Sequence, residues 1–293
     1  MTVRSDPYLQ VRWDAERLLK ELGIACLPID PMNVAERLGI SLMPMPAGAG
    51  GASGMLLHVG GNFGIGYPTH VASEGFKRFS IAHEIGHYRL PGHVDAIVDP
   101  SGRHLSKAGF IADDKYEREA DHFASALLMP TGPFGNELRK SADGLAGVER
   151  LATLCVTSLE ATAIRYVQCT RDPVAVIRSS GAAIDYAFMS SALADIPDLE
   201  WIRSGAPLAV DTVTYRFNSD ADGIRHGKRG DGSSELQDWF GGPHRQKATE
   251  EVIGLGGYGK TLTILTGIEP PDEVVDQEDE RDIEEAWTPR FRK

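Results

Sequence analysis

Two histidines and a glutamate lie close together in the run His83-Glu84-Ile85-Gly86-His87. Apolar residues at positions 76, 79, 82, 85 and 86 recur with helical spacing, so we predict that this run lies on a helix. There His83 and His87 are one turn apart and point about 40° from each other, which lets both imidazoles bind one zinc ion. Glu84 lies about 100° round from His83, where it could take a proton from an attacking water. The alternative is a surface helix with two solvated histidines.

A catalytic zinc needs a third protein ligand, and two segments offer one. His93 falls ten residues after the first histidine, where some zinc peptidases place a third histidine, but Leu90 stands where that pattern requires glycine. Glu117 lies on a second predicted helix, 116–129. Asp121 shares the face of Glu117 there and could hold a ligand histidine from behind. We favour Glu117 over His93 because of the paired Asp121 and the departure at Leu90.

The segment between and around these helices supplies further polar side chains. His93, His104 or Tyr116 could donate a hydrogen bond to the oxyanion that forms when water attacks a peptide carbonyl, and the sequence does not choose among them. Glu119 lies about 200° from Glu117 on its helix, so we expect it to face away from the metal. In the alternative, the acids of this helix only complement its dipole.

The two segments together resemble a known family. The run 83–87, followed after 29 residues by 117–130, resembles the ImmA/IrrE family of zinc metallopeptidases, which belong to the gluzincin group; 14–24 and 35–40 are similar to its N-terminal region. The resemblance implies a zincin-like fold, His83, His87 and Glu117 as zinc ligands, and Glu84 as general base. Family members are cytoplasmic regulators that cleave helix-turn-helix repressors, so the resemblance also implies that substrate class. Manganese or iron can occupy such a ligand set as well.

Length and charge set limits on the organisation. At 293 residues the chain has material for about two domains. The formal net charge is −12, which argues against a general nucleic-acid-binding surface. Ten acidic residues and one basic residue lie between Glu269 and Glu285, so we expect 269–293 to be an acidic, solvated and flexible tail.

The cysteines and the apolar runs indicate the compartment. Cys26, Cys155 and Cys169 are odd in number and widely spaced, which predicts buried thiols in a reducing compartment rather than disulfides. No run approaches about 18 apolar residues, and the first residues carry no signal core. We therefore expect a cytoplasmic protein without a membrane segment.

For residues 1–171 the sequence predicts an α+β metallopeptidase domain with a small antiparallel sheet. Short strands are predicted at 40–45, 55–59 and 63–67. One edge of the sheet could accept an extended peptide, or the strands could form an ordinary meander. The segment 145–168 resembles a helix-turn-helix unit. Its second helix begins Ser158-Leu159-Glu160-Ala161 and lacks the basic groups of a DNA reader, so we expect no direct DNA binding.

Residues 172–268 read as a smaller β-containing domain with a sensor or docking role. Strands are predicted at 174–177, 184–189, 208–217 and 261–268, with a polar loop at 218–232. The run 254–261 matches a phosphate-binding loop, but a β-branched segment follows it instead of a helix, so no nucleotide is expected. The run 218–223 mimics the start of a calcium loop but lacks the closing glutamate, so we interpret it as a turn.

These observations predict a zinc endopeptidase that cleaves a regulatory protein, by resemblance a helix-turn-helix repressor, in a stress or mobile-element response. The alternative is a zinc-stabilised module that binds a repressor without cutting it. An acid between two metal ligands favours the enzyme, because a pure binder does not need it.

Overall fold

The computed structural model describes residues 7–45, 52–69, 71, 73–106, 114–243 and 245–269. Within them the chain has a mixed α+β fold with two separate β-sheets. The α+β class expected from the sequence is therefore confirmed. Apart from Glu269, the acidic segment 269–293 lies outside the described residues.

Helices occur along the whole described chain. They are α1 (Leu9–Glu21), α2 (Pro31–Arg37), α3 (Glu74–Arg89), α4 (His93–Ile97), α5 (Lys115–Leu128), α6 (Thr131–Leu138), α7 (Gly144–Cys155), α8 (Leu159–Cys169), α9 (Ser191–Ala194), α10 (Val213–Phe217), α11 (Ala221–Arg225) and α12 (Leu236–Phe240).

The strands fall into two groups along the chain. The first group is β1 (Ser41–Met45), β2 (Gly54–Val59), β3 (Asn62–Pro68) and β4 (Arg103–Ser106). The second is β5 (Ala175–Ser180), β6 (Ala183–Met189), β7 (Arg229–Glu235), β8 (Lys247–Gly254) and β9 (Thr261–Thr266).

The first sheet has the strand order β1-β3-β2-β4. β2 pairs antiparallel with β3 and with β4, whereas β1 pairs parallel with β3. The expectation of an antiparallel sheet is therefore wrong for β1. The reason is that β2 and β3 form a tight hairpin through Gly60 and Gly61, both at positive φ, so β1 adds to the free side of β3 instead of pairing with β2.

The two helices of the predicted metal site pack closely against each other. A Cβ atom at Gly86 of α3 would lie 3.2 Å from Ala120 Cα and from Phe123 Cβ of α5. Glycine at this position therefore lets the helix axes approach. Ser73 and Asp114 cap the starts of α3 and α5, each with a side-chain oxygen that accepts a backbone N–H. The caps and the close contact fix how the two helices face each other.

The helices α7 and α8 form the unit that the sequence predicts at 145–168. Val156 between them has a left-handed φ of 54°, and Ser158 caps α8. Residues 161–167 of α8 are all buried, because the helix packs against β5 and β6. A DNA-reading helix must present a free face to a groove, and the second sheet covers that face here.

The second sheet has the order β6-β5-β9-β8-β7 and is antiparallel throughout. The strands expected at 174–177, 184–189 and 261–268 are present as β5, β6 and β9. The strand expected at 208–217 is wrong, since its second half is α10. Thr212 caps that helix, and the buried Glu250 accepts hydrogen bonds from the N–H groups of Val213 and Thr214. A distant carboxylate thus overrides local β-propensity.

The two runs that mimic a phosphate-binding loop and a calcium loop form a strand connection and a helix start. The run 254–261 connects β8 to β9 through a short 3-10 turn at Gly256–Tyr258, so no helix follows it. In the run 218–223, Asp220 caps α11 by accepting a hydrogen bond from Gly223 N–H. The polar loop expected at 218–232 is therefore wrong in part, because α11 and the start of β7 lie inside it.

The hydrophobic core continues across the boundary expected at 171/172. One cluster of buried residues contains Leu151 and Ala163 of the paired helices together with Val176, Leu262 and Ile264 of the second sheet. A smaller cluster lies on the other side of that sheet, around Trp239.

The cysteines are free thiols, but they are not all buried. Cys155 is buried, Cys169 is partly buried and Cys26 is exposed. The expectation of three buried thiols is therefore wrong for Cys26. Burial raises the pKa of the Cys155 thiol to about 12, so that side chain behaves as a small apolar residue.

Candidate metal centre and general base

Three side-chain ligands converge between α3 and α5. His83 Nε2 and His87 Nε2 lie 2.9 Å apart, and the Glu117 carboxylate oxygens lie 3.3 Å from His83 Nε2 and 3.4 Å from His87 Nε2. Within the described residues, these three side chains form the group that could hold a metal ion. Both histidines are fully buried, and Glu117 is nearly so.

The donor atoms fit a zinc ion in chemistry, and the two distances between Glu117 and the histidines also fit in spacing. A tetrahedral site with bonds of about 2.0–2.1 Å places neighbouring donor atoms about 3.3 Å apart. Glu117 Oε2 is buried and has no hydrogen-bond partner in the described part of the chain, which leaves a costly unpaired oxygen at the centre of the group. A cation held by these three ligands would satisfy that oxygen.

Each histidine is held from behind through its other ring nitrogen. His83 Nδ1 donates to Asp121 Oδ1 at 2.8 Å. His87 Nδ1 lies 3.1 Å from His93 Nδ1, and His93 Nε2 lies 3.1 Å from a Glu119 oxygen. With His87 Nε2 turned to the ligand group, His87 donates to His93, and His93 donates to Glu119. Both ligand rings are therefore oriented by a carboxylate, one directly and one through a histidine.

The positions of His93 and Glu119 differ from the sequence expectation. His93, which the sequence offered as an alternative third ligand, contacts Nδ1 of His87, whereas Glu117 lies near Nε2 of the same ring. Glu119, which we expected to face away from the metal, joins the site because α4 brings His93 within 3.1 Å of it. No local pattern signals this contact, since it depends on the turn at Gly92, which has a positive φ of 77°.

Glu84 lies fully buried beside the ligand group. Neither carboxylate oxygen makes a hydrogen bond of full geometry within the described residues, and Ser106 is the hydroxyl close enough to favour the ionised carboxylate. A Cβ atom at Gly54 of β2 would lie only 2.3 Å from Glu84 Oε1, so glycine is needed there to leave room for the carboxylate. Burial raises the pKa of Glu84 to about 7, against the opposing charge of His83. A carboxyl group of this pKa can both accept and return a proton near neutral pH.

The two ligand histidines differ in their protonation. Burial acts to lower the pKa of His83, but contacts with Asp121 and Glu117 outweigh it and raise that pKa to about 10. Burial lowers the pKa of His87 to about 3. Although burial acts to raise the pKa of Glu117, its contacts with three histidines hold it well below the usual range. Glu117 and His87 are thus in the forms that bind a metal, an ionised carboxylate and a neutral imidazole, whereas His83 has to release a proton when a metal binds.

The remaining predicted residues lie on the border of the site. His104 of β4 donates through Nε2 to Glu117 Oε1 at 3.0 Å, and its ring lies 4.9 Å from that of His87. Tyr116 packs edge-on against His93 with ring centroids 5.0 Å apart. Of the three residues considered as oxyanion donors, His104 is therefore the one in contact with a ligand carboxylate, while His93 and Tyr116 lie behind the ligand group.

Comparisons with known proteins point to the same segment. Residues 35–166 match the family model of peptidase M78, the IrrE N-terminal-like domain. This segment belongs to the ImmA/IrrE family. The match contains both site helices and ends within α8, so the second sheet of the protein lies outside it.

Other comparisons extend to the whole fold. The structure is similar to that of a Mycobacterium tuberculosis transcriptional regulator, with a TM-score of 0.56 and 15% sequence identity over 88% of this chain and 75% of that chain. At this identity the likeness concerns the fold alone. A search of curated proteins finds no match. Across the described residues, every helix is too short or too polar to span a bilayer.

Proposed function

We propose that this ImmA/IrrE protein is a zinc-dependent endopeptidase with His83, His87 and Glu117 as ligands and Glu84 as general base. The convergence of the three ligand atoms beside a buried carboxylate is the observation that carries the proposal. The family match of residues 35–166 supports the peptidase class. We also propose that the peptidase domain ends at 171 and that the β-containing domain begins at 172.

The chain's own residues supply the proton transfers. Zinc held by the three ligands would polarise the peptide carbonyl and make water more acidic. Glu84 takes the proton from the attacking water and returns it to the leaving amine. We propose His104 as the donor to the developing oxyanion, a role in which its Nε2–H exchanges the Glu117 oxygen that it contacts at 3.0 Å for the oxyanion. Asp121 and the pair His93–Glu119 keep the ligand rings in position.

The substrate we propose is a regulatory protein, a helix-turn-helix repressor by analogy with the family. β4 lies at the edge of the first sheet and carries His104 and Ser106 beside the site. An extended segment of the substrate pairs with the outer edge of β4, to which no strand of the described residues is hydrogen-bonded, and this pairing brings the substrate backbone next to Glu84. A cleavable segment must therefore be extended or locally unfolded.

The test compares wild type with Glu84→Gln, which keeps the shape of the side chain but removes the base. Both proteins are expressed in host cells, and new protein N-termini are identified by mass spectrometry. Bound zinc is measured on the purified proteins. We expect about one zinc per chain in both and new termini with wild type alone, because Glu84 is not a ligand.

The outcomes separate the enzyme from the binding module. New termini that appear equally with Glu84→Gln would remove Glu84 as the base. If both proteins hold zinc and neither produces termini, the alternative of a zinc-stabilised repressor-binding module replaces the peptidase. If neither holds zinc, the ligand assignment itself is wrong.

A further inference from the structure

A cavity of about 400 Å³ lies between α3, α8 and the second sheet. Phe76 and Phe79 of α3 form one wall, and Met129 and Leu255 form others. Phe76 and Phe79 precede His83 by seven and four residues, so they continue the face of α3 that carries the ligand histidines. The ring centroid of Phe79 lies 6.3 Å from that of His83. The cavity therefore borders the metal centre but is built from different residues.

The far end of the cavity is polar and formed by the second sheet. Arg178 of β5 donates from Nη1 to Glu160 at 2.6 Å and from Nε to Asp185 at 3.1 Å. Its guanidinium lies 4.5 Å from the centre of the Tyr186 ring. Tyr186 donates its hydroxyl to the same oxygen of Glu160 at 2.7 Å. These contacts hold the cation and the ring in fixed positions.

Hydrogen-bond donors are in excess at this end. The hydrogen bonds of Arg178 to described residues leave from Nε and Nη1, so its Nη2 group is uncommitted. Lys260, with three donor hydrogens, contacts Ser180 and Asp185. Glu160 lines the cavity and Asp185 pairs with both cations, so the charges of the four side chains balance. The excess is therefore one of donor hydrogens, because Glu160 Oε1 already accepts two hydrogen bonds.

We propose that this cavity is a binding site for a small aromatic monocarboxylic acid. Its volume lies in the range of small-molecule sites, which join an apolar body to a few placed polar groups. The aromatic body of the ligand packs among Phe76, Phe79 and Met129. Its carboxylate accepts hydrogen bonds from Arg178 Nη2 and Lys260 Nζ. Such a ligand contacts both the metal-bearing helix and the second sheet.

The test uses 4-phenylbutyrate as the probe and isothermal titration calorimetry on the full chain. The matched control ligand is 4-phenylbutylamine, which has the same apolar body and a cationic head. We expect saturable one-to-one binding of the acid. The amine should bind at least about tenfold more weakly than the acid, because its head group cannot accept hydrogen bonds from the two cations. The measurement does not use peptidase activity, so it stands independently of the proposed function.

Three variants locate the bound probe. Ala161→Phe adds a ring to a residue that lines the cavity, whereas Ala146→Phe adds the same ring at an exposed position of α7. Lys260→Met removes a carboxylate donor and keeps the apolar stem. We expect binding to weaken roughly tenfold or more in Ala161→Phe and Lys260→Met and to persist in Ala146→Phe.

Two results overturn the proposal. One is the absence of saturable acid binding to wild type. The other is equal acid binding to wild type, Ala161→Phe and Lys260→Met, which places the probe elsewhere. Thermal unfolding of each variant shows whether it folds. If Ala161→Phe does not fold, acid binding to Lys260→Met alone tests the proposal.

Discussion

At the residue scale, the position of Glu84, the proposed general base, depends on one glycine in a neighbouring strand. A Cβ atom at Gly54 would overlap Glu84 Oε1, whereas at Gly64 in the same sheet the nearest atom is Met43 Cε at 3.4 Å. We expect Gly54→Ala to displace the carboxylate and to lower peptide turnover roughly a hundredfold, since small displacements of catalytic groups have such effects. Zinc binding persists because Gly54 contacts no ligand. Gly64→Ala is the matched control.

The measurement for this pair is kcat on a cleaved substrate, with zinc content as a second readout. Normal turnover by Gly54→Ala would mean that Glu84 has room to move away from Gly54 without loss of function. Loss of turnover in Gly64→Ala as well would point to the sheet and not to the carboxylate.

The residues behind the ligands should set zinc affinity. His93→Ala and Glu119→Gln each interrupt the path from His87 to a carboxylate, and Asp121→Asn interrupts the direct contact with His83. Partners of this kind typically contribute 10–100-fold to metal affinity. We expect losses of about that size for all three, measured by competition with a chromophoric chelator.

A matched control for this series is His226→Ala, which removes an exposed histidine of the second domain. It should leave zinc affinity unchanged. An unchanged affinity in both His93→Ala and Glu119→Gln, with a loss in Asp121→Asn, would show that only the direct carboxylate matters.

At the element scale, the site depends on how closely α3 approaches α5. A Cβ atom at Gly86 would press on Ala120 and Phe123 at 3.2 Å, whereas nothing lies within 4 Å of one at Gly132 of α6. We expect Gly86→Ala to lower the free energy of unfolding by about 1–3 kcal/mol through overpacking and to weaken zinc binding by moving Glu117. Gly132→Ala should raise stability by about 0.4–1 kcal/mol.

Urea unfolding and zinc titration of both variants check this expectation. An affinity loss in Gly86→Ala that exceeds its loss of stability would show that the helix spacing acts directly on the ligand geometry. Unchanged stability and affinity would mean that α3 and α5 can separate slightly at no cost.

Local sequence predicts these elements well where a repeat or a cap determines them. The spacing of apolar residues predicted α3, and first-turn acids with the following Pro130 predicted α5. Helix geometry put Asp121 on the face of Glu117, and Asp121 contacts His83. Helical spacing could not predict the contact of His93 with His87, because a turn and a short helix create it. Likewise α10 forms where β-propensity suggested a strand, since Glu250, distant in the sequence, holds its first turn. Contacts between remote segments decide these cases.

At the scale of the whole molecule, the second sheet completes the core of the segment that matches the peptidase family model. Leu145 N–H of α7 donates to Glu251 of β8 at 2.9 Å, and Arg178 of β5 joins Glu160 of α8. The apolar faces of α7 and α8 pack on the same sheet. A chain that ended at residue 171 would expose these faces and lose the cap of α7.

We therefore expect a fragment of residues 1–171 to be much less stable than the full chain and to bind zinc weakly. The full chain should unfold in a single urea transition, with the fluorescence of the buried Trp239 and far-UV circular dichroism changing together. A truncation after Glu269 keeps every described residue and serves as the control, with an unchanged midpoint. If the fragment folds and binds zinc like the full chain, the two domains predicted from the sequence are independent, and the continuous core contributes little to the metal centre. If it does not, the second sheet is a structural part of the peptidase, and any ligand bound between that sheet and α3 acts on a single cooperative unit.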